Sequence, residues 1–343
     1  MPPSLSRSRI NRRTLVQTSC ALGIAAATGA VGFDVLAQSA TPTPTATTVP
    51  ERQRRARLRA MLKARQAART GTRTIKPDAA DVPYVDDGSP LHLLDIFLPR
   101  TSELQGTPVA TPASARIPVI VWIHGGGWIK GTKGGTGMPY LLGDGYAIVS
   151  IAYRLLQDAM FPAQIVDANA ALAWVWNHAD DYGFDRDRIV VAGSSAGGRS
   201  ASLAGASAND DVAAFQTDPD VKIAAVIDFF GGTDSAYDLN SNPERKALIE
   251  SQNTPAQIED MKTMADVRTF VDAGDPPMLI IHGDQDRTVP IAESQELVAA
   301  MEAAGAPVTF EVFPGRGHGL ANYQDAAVQA VVRSFLLDTL GPA

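Results

Sequence analysis

Cysteine is almost missing from this 343-residue chain. The single Cys20 lies within the first forty residues, which we expect to be removed on maturation, so the mature protein would contain no cysteine. Disulfide bonds are thereby excluded, and the fold must be stabilised by its hydrophobic core. Because 45% of the residues are hydrophobic, the chain has ample material for such a core. The length fits one large domain or two small ones.

The chain also lacks a long uninterrupted hydrophobic run. The most apolar N-terminal stretch, residues 21–37, is rich in Gly and Ala and is interrupted by Asp34, which disfavours a permanent membrane span. Arg12 and Arg13, followed by Thr-Leu-Val, are typical of a twin-arginine export signal, and Val-Leu-Ala before residue 38 fits a cleavage site. We therefore predict a signal peptide over residues 1–37 and a periplasmic or secreted protein. A cytoplasmic protein with a basic tail is the alternative.

Basic residues are scarce except in one block. Residues 38–50 read as a Thr- and Pro-rich linker. Residues 51–76 then contain ten Lys and Arg and one acid, whereas residues 77–343 contain 16 Lys and Arg against 35 Asp and Glu. One interpretation of the block is an arm that makes weak contact with the cell envelope or another polyanion. The alternative, a solvated helix on the acidic body, is favoured by the helical spacing of Leu58 and Met61.

From residue 77 onward, apolar strands alternate with helices, and we find no internal repeat. We expect strands at residues 91–99, 117–123, 146–152, 189–192, 221–230, 277–282 and 308–313, and helices at residues 162–179, 196–208, 293–304 and 326–340. This order predicts an α/β fold with a mostly parallel sheet and helices on both faces. Residues 231–275 interrupt the alternation. We expect a partial lid over the site there, with a plain loop excursion as the alternative.

A serine stands between one of these strands and the helix that follows it. The run Gly193-Ser-Ser-Ala-Gly197 has the pattern G-x-S-x-G, which holds a serine on a tight turn with its hydroxyl above the sheet. Side chains at Gly193 and Gly197 would collide where strand and helix crowd together. The helix that begins at Ala196 offers free N–H groups to a developing oxyanion. The pattern predicts Ser195 as a nucleophile.

A nucleophilic serine needs a base to take its proton. Five histidines lie in the body of the chain, and two of them, His282 and His318, follow Ser195. His318 lies between glycines in a loop beyond the last predicted strand, from which it can reach across the top of the sheet, so we predict it as the base. His282 ends a strand and is interpreted as a structural residue.

The base in turn needs a carboxylate that orients it. This acid should follow a strand that lies between the serine and His318 in the chain, and both Asp284 and Asp286 do so. Spacing alone does not separate them. Asp228 is a weaker third candidate because it lies within its strand. The alternative role for either loop aspartate is turn formation or helix capping.

A glycine-rich loop follows the strand predicted at residues 117–123. The run His124-Gly-Gly-Gly-Trp128 lets the backbone approach a substrate carbonyl and aim N–H groups at it, while the N–H of Ala196 supplies the other half of an oxyanion hole. Phosphate binding is disfavoured because the loop lacks G-x-G-x-x-G spacing and a P-loop lysine-serine pair. We interpret His124 as bracing the loop. Trp128 and Ser194 are candidate pocket walls, with packing as the alternative for Trp128.

With these residues together, the chain resembles the α/β-hydrolases over about residues 80–340. It is similar to hormone-sensitive-lipase-like esterases and, more closely, to bacterial esterases of the feruloyl and acetylxylan type. The segments that carry the resemblance are Leu94-Asp-Ile-Phe-Leu-Pro99, His124-Gly-Gly-Gly-Trp128, Tyr153-Arg154, Phe161-Pro-Ala-Gln164, Gly193-Ser-Ser-Ala-Gly-Gly198, Asp275-Pro-Pro277, His282-Gly-Asp-Gln-Asp-Arg-Thr-Val-Pro290 and Gly317-His-Gly319.

The resemblance implies roles that spacing leaves open. The family pattern H-G-x-x-D-x-x-V-P implies Asp286 as the acid, and the family's glycine loop implies Gly126, Gly127 and Ala196 as oxyanion donors. The family's chain order of serine, aspartate and histidine is kept. Lipase-like members often carry a substantial N-terminal helical cap, and here only residues 51–76 could serve as one.

The expected function is that of a serine hydrolase which cleaves carboxylic esters through an acyl-enzyme intermediate. Its substrate would be a small-molecule or polysaccharide-linked ester, with no metal or organic cofactor and no nucleic-acid partner. An amidase, formamidase or peptidase on the same fold is the alternative enzyme class, although the chain has no room for the propeller domain of prolyl oligopeptidases. A non-catalytic binding protein on this fold is a third alternative. It is disfavoured because a binding role does not require the serine, histidine, aspartate and glycine loop together.

Overall fold

The structure, a computed structural model, describes residues 75–100, 116–210, 212–233, 243–319 and 325–343. All of them belong to the unit Ile75–Ala343. The predicted signal peptide, the linker and the basic segment up to residue 74 lie outside the described residues and stay predictions. Within the described ranges, no helix has both the length and the apolarity that crossing a membrane requires.

Eight strands form one sheet in the part of the chain that the structure describes. They are β1 (Ala79–Pro83), β2 (Leu93–Phe97), β3 (Ile117–Ile123), β4 (Ala147–Ile151), β5 (Phe184–Ser194), β6 (Ala225–Phe229), β7 (Met278–Gly283) and β8 (Val308–Phe313). Their spatial order is β1-β2-β4-β3-β5-β6-β7-β8. Neighbours from β4 to β8 are all parallel, whereas β2 runs antiparallel to β1 and β4. The prediction of a mostly parallel sheet is confirmed. Sequence analysis missed β1, whose Asp and Pro break the apolar pattern of a strand.

Four helices agree with the predicted ones to within a few residues at each end, whereas those at residues 179–182, 243–252 and 255–265 were not predicted individually. In chain order they are α1 (Ala163–Asn177), α2 (Ala179–Tyr182), α3 (Ala196–Ala206), α4 (Pro243–Gln252), α5 (Pro255–Ala265), α6 (Ile291–Ala304) and α7 (Ala326–Leu340). The interrupting segment, residues 231–275, contains α4 and α5. Helix α5 begins at a capping box in which the Thr254 hydroxyl accepts from the Gln257 N–H and the Gln257 side chain accepts from the Thr254 N–H. The role of this segment as a lid stays a prediction.

The sheet is covered by helices on both faces because side chains alternate along each strand. On β3, Val119, Val121 and Ile123 belong to the buried cluster that includes α1 and α3. Ile120 and Trp122 point to the opposite face, into the cluster that includes α7. All five are almost completely buried, and burial of each such side chain contributes about 1.5–3 kcal/mol. The predicted two-sided helical cover is confirmed.

The carboxyl ends of the parallel strands bring the predicted site residues to one edge of the sheet. Ile123 at the end of β3 pairs with Gly193 on β5, and Gly283 at the end of β7 pairs with Phe313 at the end of β8. The loops that follow these strands carry the glycine loop, the serine turn, the candidate aspartates and His318. In open α/β sheets, ligands bind in the crevice outside this edge.

Candidate active site

Ser195 occupies the turn between β5 and α3. Its φ of 53° and ψ of −122° lie in a sparsely populated region that costs a residue with a Cβ about 1–3 kcal/mol. Its N–H donates to the carbonyl of Phe229 at the end of β6, at 2.8 Å, which stabilises the turn. The residue is half-buried at the edge of the sheet. Strain of this kind is typical of functional positions.

Close packing of backbone against backbone explains the glycines on either side of the serine. A Cβ added at Gly193 would lie 2.3 Å from the carbonyl oxygen of Gly197. A Cβ added at Gly197 would lie 2.1 Å from the carbonyl oxygen of Ile123. Backbone atoms cannot rotate away as the end of a side chain can. The predicted collision at these two positions is confirmed.

Ser195, His318 and Asp286 form one series of hydrogen bonds. His318 Nε2 lies 3.0 Å from Ser195 Oγ, and His318 Nδ1 lies 2.7 Å from Asp286 Oδ2. An ionised carboxylate only accepts, so Nδ1 carries the proton and Nε2 is free to accept from the serine hydroxyl. The imidazole is 24% exposed, whereas the Asp286 side chain has no exposed surface. A ring held in this way can take the serine proton as the oxygen attacks a carbon.

The Asp286 carboxylate is kept ionised by its hydrogen bonds. Burial acts against the charged form, but the rings of His282 and His318 and the N–H groups of Val289 and Thr288 outweigh it and hold the pKa of Asp286 well below its ordinary value. The two N–H groups donate to Oδ1 at 2.8 Å and 2.9 Å. At neutral pH the residue is therefore an anion that stabilises positive charge on His318.

Asp284, the other loop aspartate, bonds across to a different loop, which is neither the turn nor the helix cap considered as its alternative role. Its side chain is exposed, and Oδ1 accepts from the N–H of Gly315 at 2.7 Å. This bond joins the loop after β7 to the loop after β8, which carries His318. Among the described residues, the carboxylate bonded to His318 is that of Asp286.

Asp228, the third candidate, is buried in the middle of the sheet. Its oxygens accept from Ser202 Oγ at 2.8 Å and from the N–H of Gly231 at 2.7 Å. Burial raises the pKa of Asp228 to about 6, although these hydrogen bonds act in the opposite direction. Both of its oxygens are thus used in joining β6 to α3 and to the loop that follows β6.

The glycine loop, residues 124–128, lies directly beside the serine turn. A Cβ added at Gly125 would be 2.6 Å from the carbonyl oxygen of Ser194 and 3.3 Å from Ser195 Cβ. Gly126 has a φ of 124°, and a Cβ there would lie 2.1 Å from the carbonyl oxygen of Lys130. Only glycine fits this turn, because the φ and the close approach both exclude a side chain.

The loop leaves backbone donors unused next to Ser195. Across the described ranges, no protein acceptor is bonded to the N–H of Gly126, Gly127 or Ala196. Ala196 is the first residue of α3, where the N–H groups have no partner within the helix. The role of these three N–H groups as oxyanion donors stays a prediction.

His124 braces the glycine loop from inside. Its ring stacks on Tyr153 with centroids 4.3 Å apart, and its Nδ1 lies 2.9 Å from the carbonyl oxygen of Gly125. The Tyr153 hydroxyl donates to the His124 carbonyl at 2.7 Å. Burial lowers the pKa of His124 to about 4, so the ring is neutral at pH 7. These contacts agree with the interpretation of His124 as a bracing residue.

Trp128 and Ser194, the candidate pocket walls, are both buried. Trp128 is 4% exposed, belongs to the core cluster of the α1 and α3 face, and donates from Nε1 to Ser200 Oγ at 3.2 Å. These are the contacts of a packing residue. Ser194 ends β5 with its carbonyl against the glycine loop. Their role as pocket walls stays a prediction.

Two residues next to the His318–Asp286 pair were not assigned to the site from the sequence. Phe230 follows β6 with a φ of 48°, and its ring meets that of His318 edge to face, with centroids 4.6 Å apart. His282, interpreted as structural, lies with Nε2 3.3 Å from Asp286 Oδ2. In the sequence, Phe230 stands in an apolar run and His282 at the end of a strand, and neither position indicated these contacts.

Within the described residues, no group of three or more His, Cys, Asp or Glu side chains is arranged to hold a metal.

The fold and the serine turn define the class of protein. An eight-stranded, mostly parallel sheet with a serine on a strand-turn-helix junction at its carboxyl edge is the architecture of the α/β-hydrolases. Residues 94–301 match the family model described as BD-FAE. The chain belongs to this family, and the resemblance stated from the sequence is confirmed.

Most of the named relatives are esterases, and one is a dipeptidyl aminopeptidase of Pseudoxanthomonas mexicana, 28% identical over a match that covers 72% of this chain and 36% of that relative. Esterase LipC of Mycobacterium tuberculosis is 31% identical over 248 residues, which cover 69% of this chain and 58% of LipC. The probable carboxylic ester hydrolase LipM of the same organism is 30% identical, with coverage of 75% and 60%. The matched part thus spans about three fifths of these curated relatives. A solved structure, the truncated form of a carbohydrate esterase from gut microbiota, is 28% identical with a TM-score of 0.63 and covers 78% of this chain and 98% of that chain.

Proposed function

We propose that this chain is a serine hydrolase that cleaves carboxylic esters through an acyl-enzyme intermediate. The observation that carries the proposal is the hydrogen-bonded series from Ser195 through His318 to Asp286, with spacings of 3.0 Å and 2.7 Å. A protein that only binds a ligand on this fold has no need of a base aligned on a strained serine. The esterase names of the relatives support an ester as the bond that is cleaved.

The reaction begins when Ser195 Oγ attacks the ester carbonyl carbon and His318 Nε2 takes the hydroxyl proton. Asp286 holds the ring through Nδ1 and stabilises the imidazolium that forms. Nε2 then protonates the departing alcohol oxygen as its bond to the carbonyl carbon breaks, which leaves an acyl-serine ester. Water repeats the sequence with His318 again as base. It releases the carboxylic acid and restores the serine hydroxyl.

The negative charge of each tetrahedral intermediate falls on the former carbonyl oxygen. We assign its stabilisation to the N–H groups of Gly126, Gly127 and Ala196, which no protein acceptor uses in the described residues. A single donor of this kind contributes about 3–4 kcal/mol to the stability of the transition state. The N-terminal end of α3 adds a favourable partial positive charge.

The nucleophile is tested by Ser195→Ala and by labelling with a fluorophosphonate probe. We expect the wild type to hydrolyse p-nitrophenyl acetate and to be labelled at Ser195, and the variant to lose both properties while it unfolds at the wild-type temperature. Ser334→Ala, at an exposed serine on α7, is the matched control and should keep full activity. Esterase activity that survives in Ser195→Ala would refute the assignment.

The bond that is cleaved is tested by comparing p-nitrophenyl esters with the corresponding anilides. We expect ester hydrolysis only, and faster anilide hydrolysis would point to an amidase instead. For the substrate class we propose a small-molecule or polysaccharide-linked ester, which is supported by the structural similarity to a carbohydrate esterase. A panel of acyl chain lengths together with acetylated polysaccharide would identify the preferred member of this class.

We also propose export by the twin-arginine route to the periplasm or the exterior. The proposal rests on Arg12, Arg13 and the apolar stretch after them. Replacing both arginines by lysine should retain the protein in the cytoplasm, and unchanged export would contradict it. From their charge alone we propose that residues 51–76 make weak contact with the cell envelope. Binding to anionic vesicles should then weaken as salt is added, and binding that salt leaves unchanged would count against the proposal.

A further inference from the structure

His282 makes contacts that the reaction described above does not use. It is fully buried at the end of β7. Its Nε2 lies 3.0 Å from the carbonyl oxygen of Val289 and 3.3 Å from Asp286 Oδ2. Its Nδ1 lies 2.7 Å from Ser294 Oγ on α6. Both ring nitrogens are therefore engaged, and one of them reaches the same carboxylate oxygen as His318.

The partners of His282 determine which nitrogen carries the proton. A carbonyl oxygen can only accept, so Nε2 must donate to Val289, and Nδ1 is left to accept from the hydroxyl of Ser294. The Nε2–H is directed at the Val289 carbonyl, and Asp286 Oδ2, 3.3 Å from the same nitrogen, is in electrostatic contact with it. Ser294 thus selects the tautomer in which the ring presents a donor to Asp286.

We propose that His282 is a positioning residue for Asp286, with Ser294 fixing its tautomer. Asp286 Oδ1 is held by two backbone N–H groups, and Oδ2 is hydrogen-bonded to His318 and lies 3.3 Å from His282 Nε2 on another side. The carboxylate is thereby prevented from rotating out of line with His318. Partners that orient metal ligands from behind commonly change activity 10–100-fold when they are removed, and we expect an effect at the low end of this range for the analogous contact here. This inference rests on the proposed function.

The surroundings of His282 leave few other groups that could take over its role. Phe230 meets its ring edge to face at a centroid distance of 6.4 Å. The carboxylate of Asp228 interacts with it electrostatically from β6, but both oxygens of Asp228 already accept from other donors. Ser294 approaches from α6, and Asp286 and Val289 approach from the loop after β7.

The first test replaces His282 by leucine and by glutamine. Without the donor, the Asp286 carboxylate becomes more basic and favours protonated His318, so in His282→Leu the acid limb of the kcat/KM profile should move to higher pH. We expect kcat to fall about tenfold with KM within about twofold, because substrate-binding groups are untouched. His282→Gln, which can place an amide N–H near the position of Nε2, should return kcat to within about threefold of wild type and restore the profile.

A merely structural histidine would give a different result. His282→Leu would then lose stability with an unmoved acid limb, and glutamine would give no rescue of the profile. The matched pair Ser294→Ala and Ser207→Ala removes two fully buried hydroxyls, of which the second donates to the carbonyl of Leu203 at 2.7 Å. The inference requires Ser294→Ala alone to shift the profile, and equal profiles for the two variants would overturn it.

A measurement on the wild type separates this inference from the proposed function. Nitrogen-15 NMR of the histidine rings should show His282 protonated at Nε2 and unprotonated at Nδ1 at neutral pH. The opposite tautomer would overturn the inference, even if Ser195 is labelled and esters are cleaved. If esters are not cleaved and Ser195 is not labelled, the proposed function fails, while the tautomer can still be determined. If His282→Leu does not fold, the pH profiles of Ser294→Ala and Ser207→Ala decide whether His282 is a positioning residue.

Discussion

Replacing Gly197 by alanine tests whether the contact between α3 and the glycine loop sets the position of Ser195. The new Cβ would lie 2.1 Å from the carbonyl oxygen of Ile123 and 2.6 Å from that of His124. Non-bonded heavy atoms in contact lie about 3.5 Å apart, so α3 and the end of β3 would have to separate by about 1 Å. A displacement of this size at a reacting group lowers the rate about 100-fold. The overpacking should also lower the free energy of unfolding by about 1–3 kcal/mol.

The assay measures kcat with a p-nitrophenyl ester and thermal unfolding of the same samples. Gly135→Ala is the matched control, because its φ is not positive and a Cβ there would meet nothing within 4 Å. We expect the control to match the wild type and Gly197→Ala to lose both rate and stability. If Gly197→Ala kept the wild-type kcat and unfolding temperature, the reasoning from close backbone contact would be wrong.

Asp286→Asn should lower kcat about 10⁴-fold with little change in fold, because a neutral amide does not hold the working tautomer of His318; a loss below tenfold in steady-state kinetics would contradict this. Burial raises the pKa of Asp228 to about 6, so between about pH 4 and pH 6 the folded state binds more protons and the free energy of unfolding falls as pH rises. Asp228→Asn should remove this pH dependence, which amounts to up to about 3 kcal/mol over that range, and an unchanged slope of the unfolding free energy against pH in urea titrations would refute the assignment. Thr254→Ala removes the capping box of α5 and should cost about 1 kcal/mol without changing kcat; urea unfolding with no loss would show that the cap contributes nothing.

The serine turn and the glycine loop could be predicted because each is a local feature. The strand, the turn and the helix around Ser195 are consecutive in the chain, and the small residues there are required by contacts within that unit and with the neighbouring strand. The order of strands and helices was likewise evident from apolar runs and spacing. Strand β1 was missed since its five residues include Asp and Pro and are only partly buried.

The acid that partners His318 could not be chosen from spacing. Asp284 and Asp286 follow the same strand two residues apart, and the resemblance to a family singled out Asp286. In the structure the loop after β7 turns so that Asp284 meets Gly315 and Asp286 meets His318. That choice depends on how two loops face each other, which no local pattern records.

The sequence by itself determined the class of fold, the position of Ser195 on its turn and the loops in which its predicted partners lie. Hydrophobic alternation and the conformational demands of glycine act over a few neighbouring residues and are therefore written in the chain. Only the tertiary structure decided that His318 meets Ser195 across 123 positions, that His282 contacts the carboxylate of Asp286, and that Phe230 packs on His318. These contacts follow from sheet register and loop packing, which bring together side chains that have no relation along the chain.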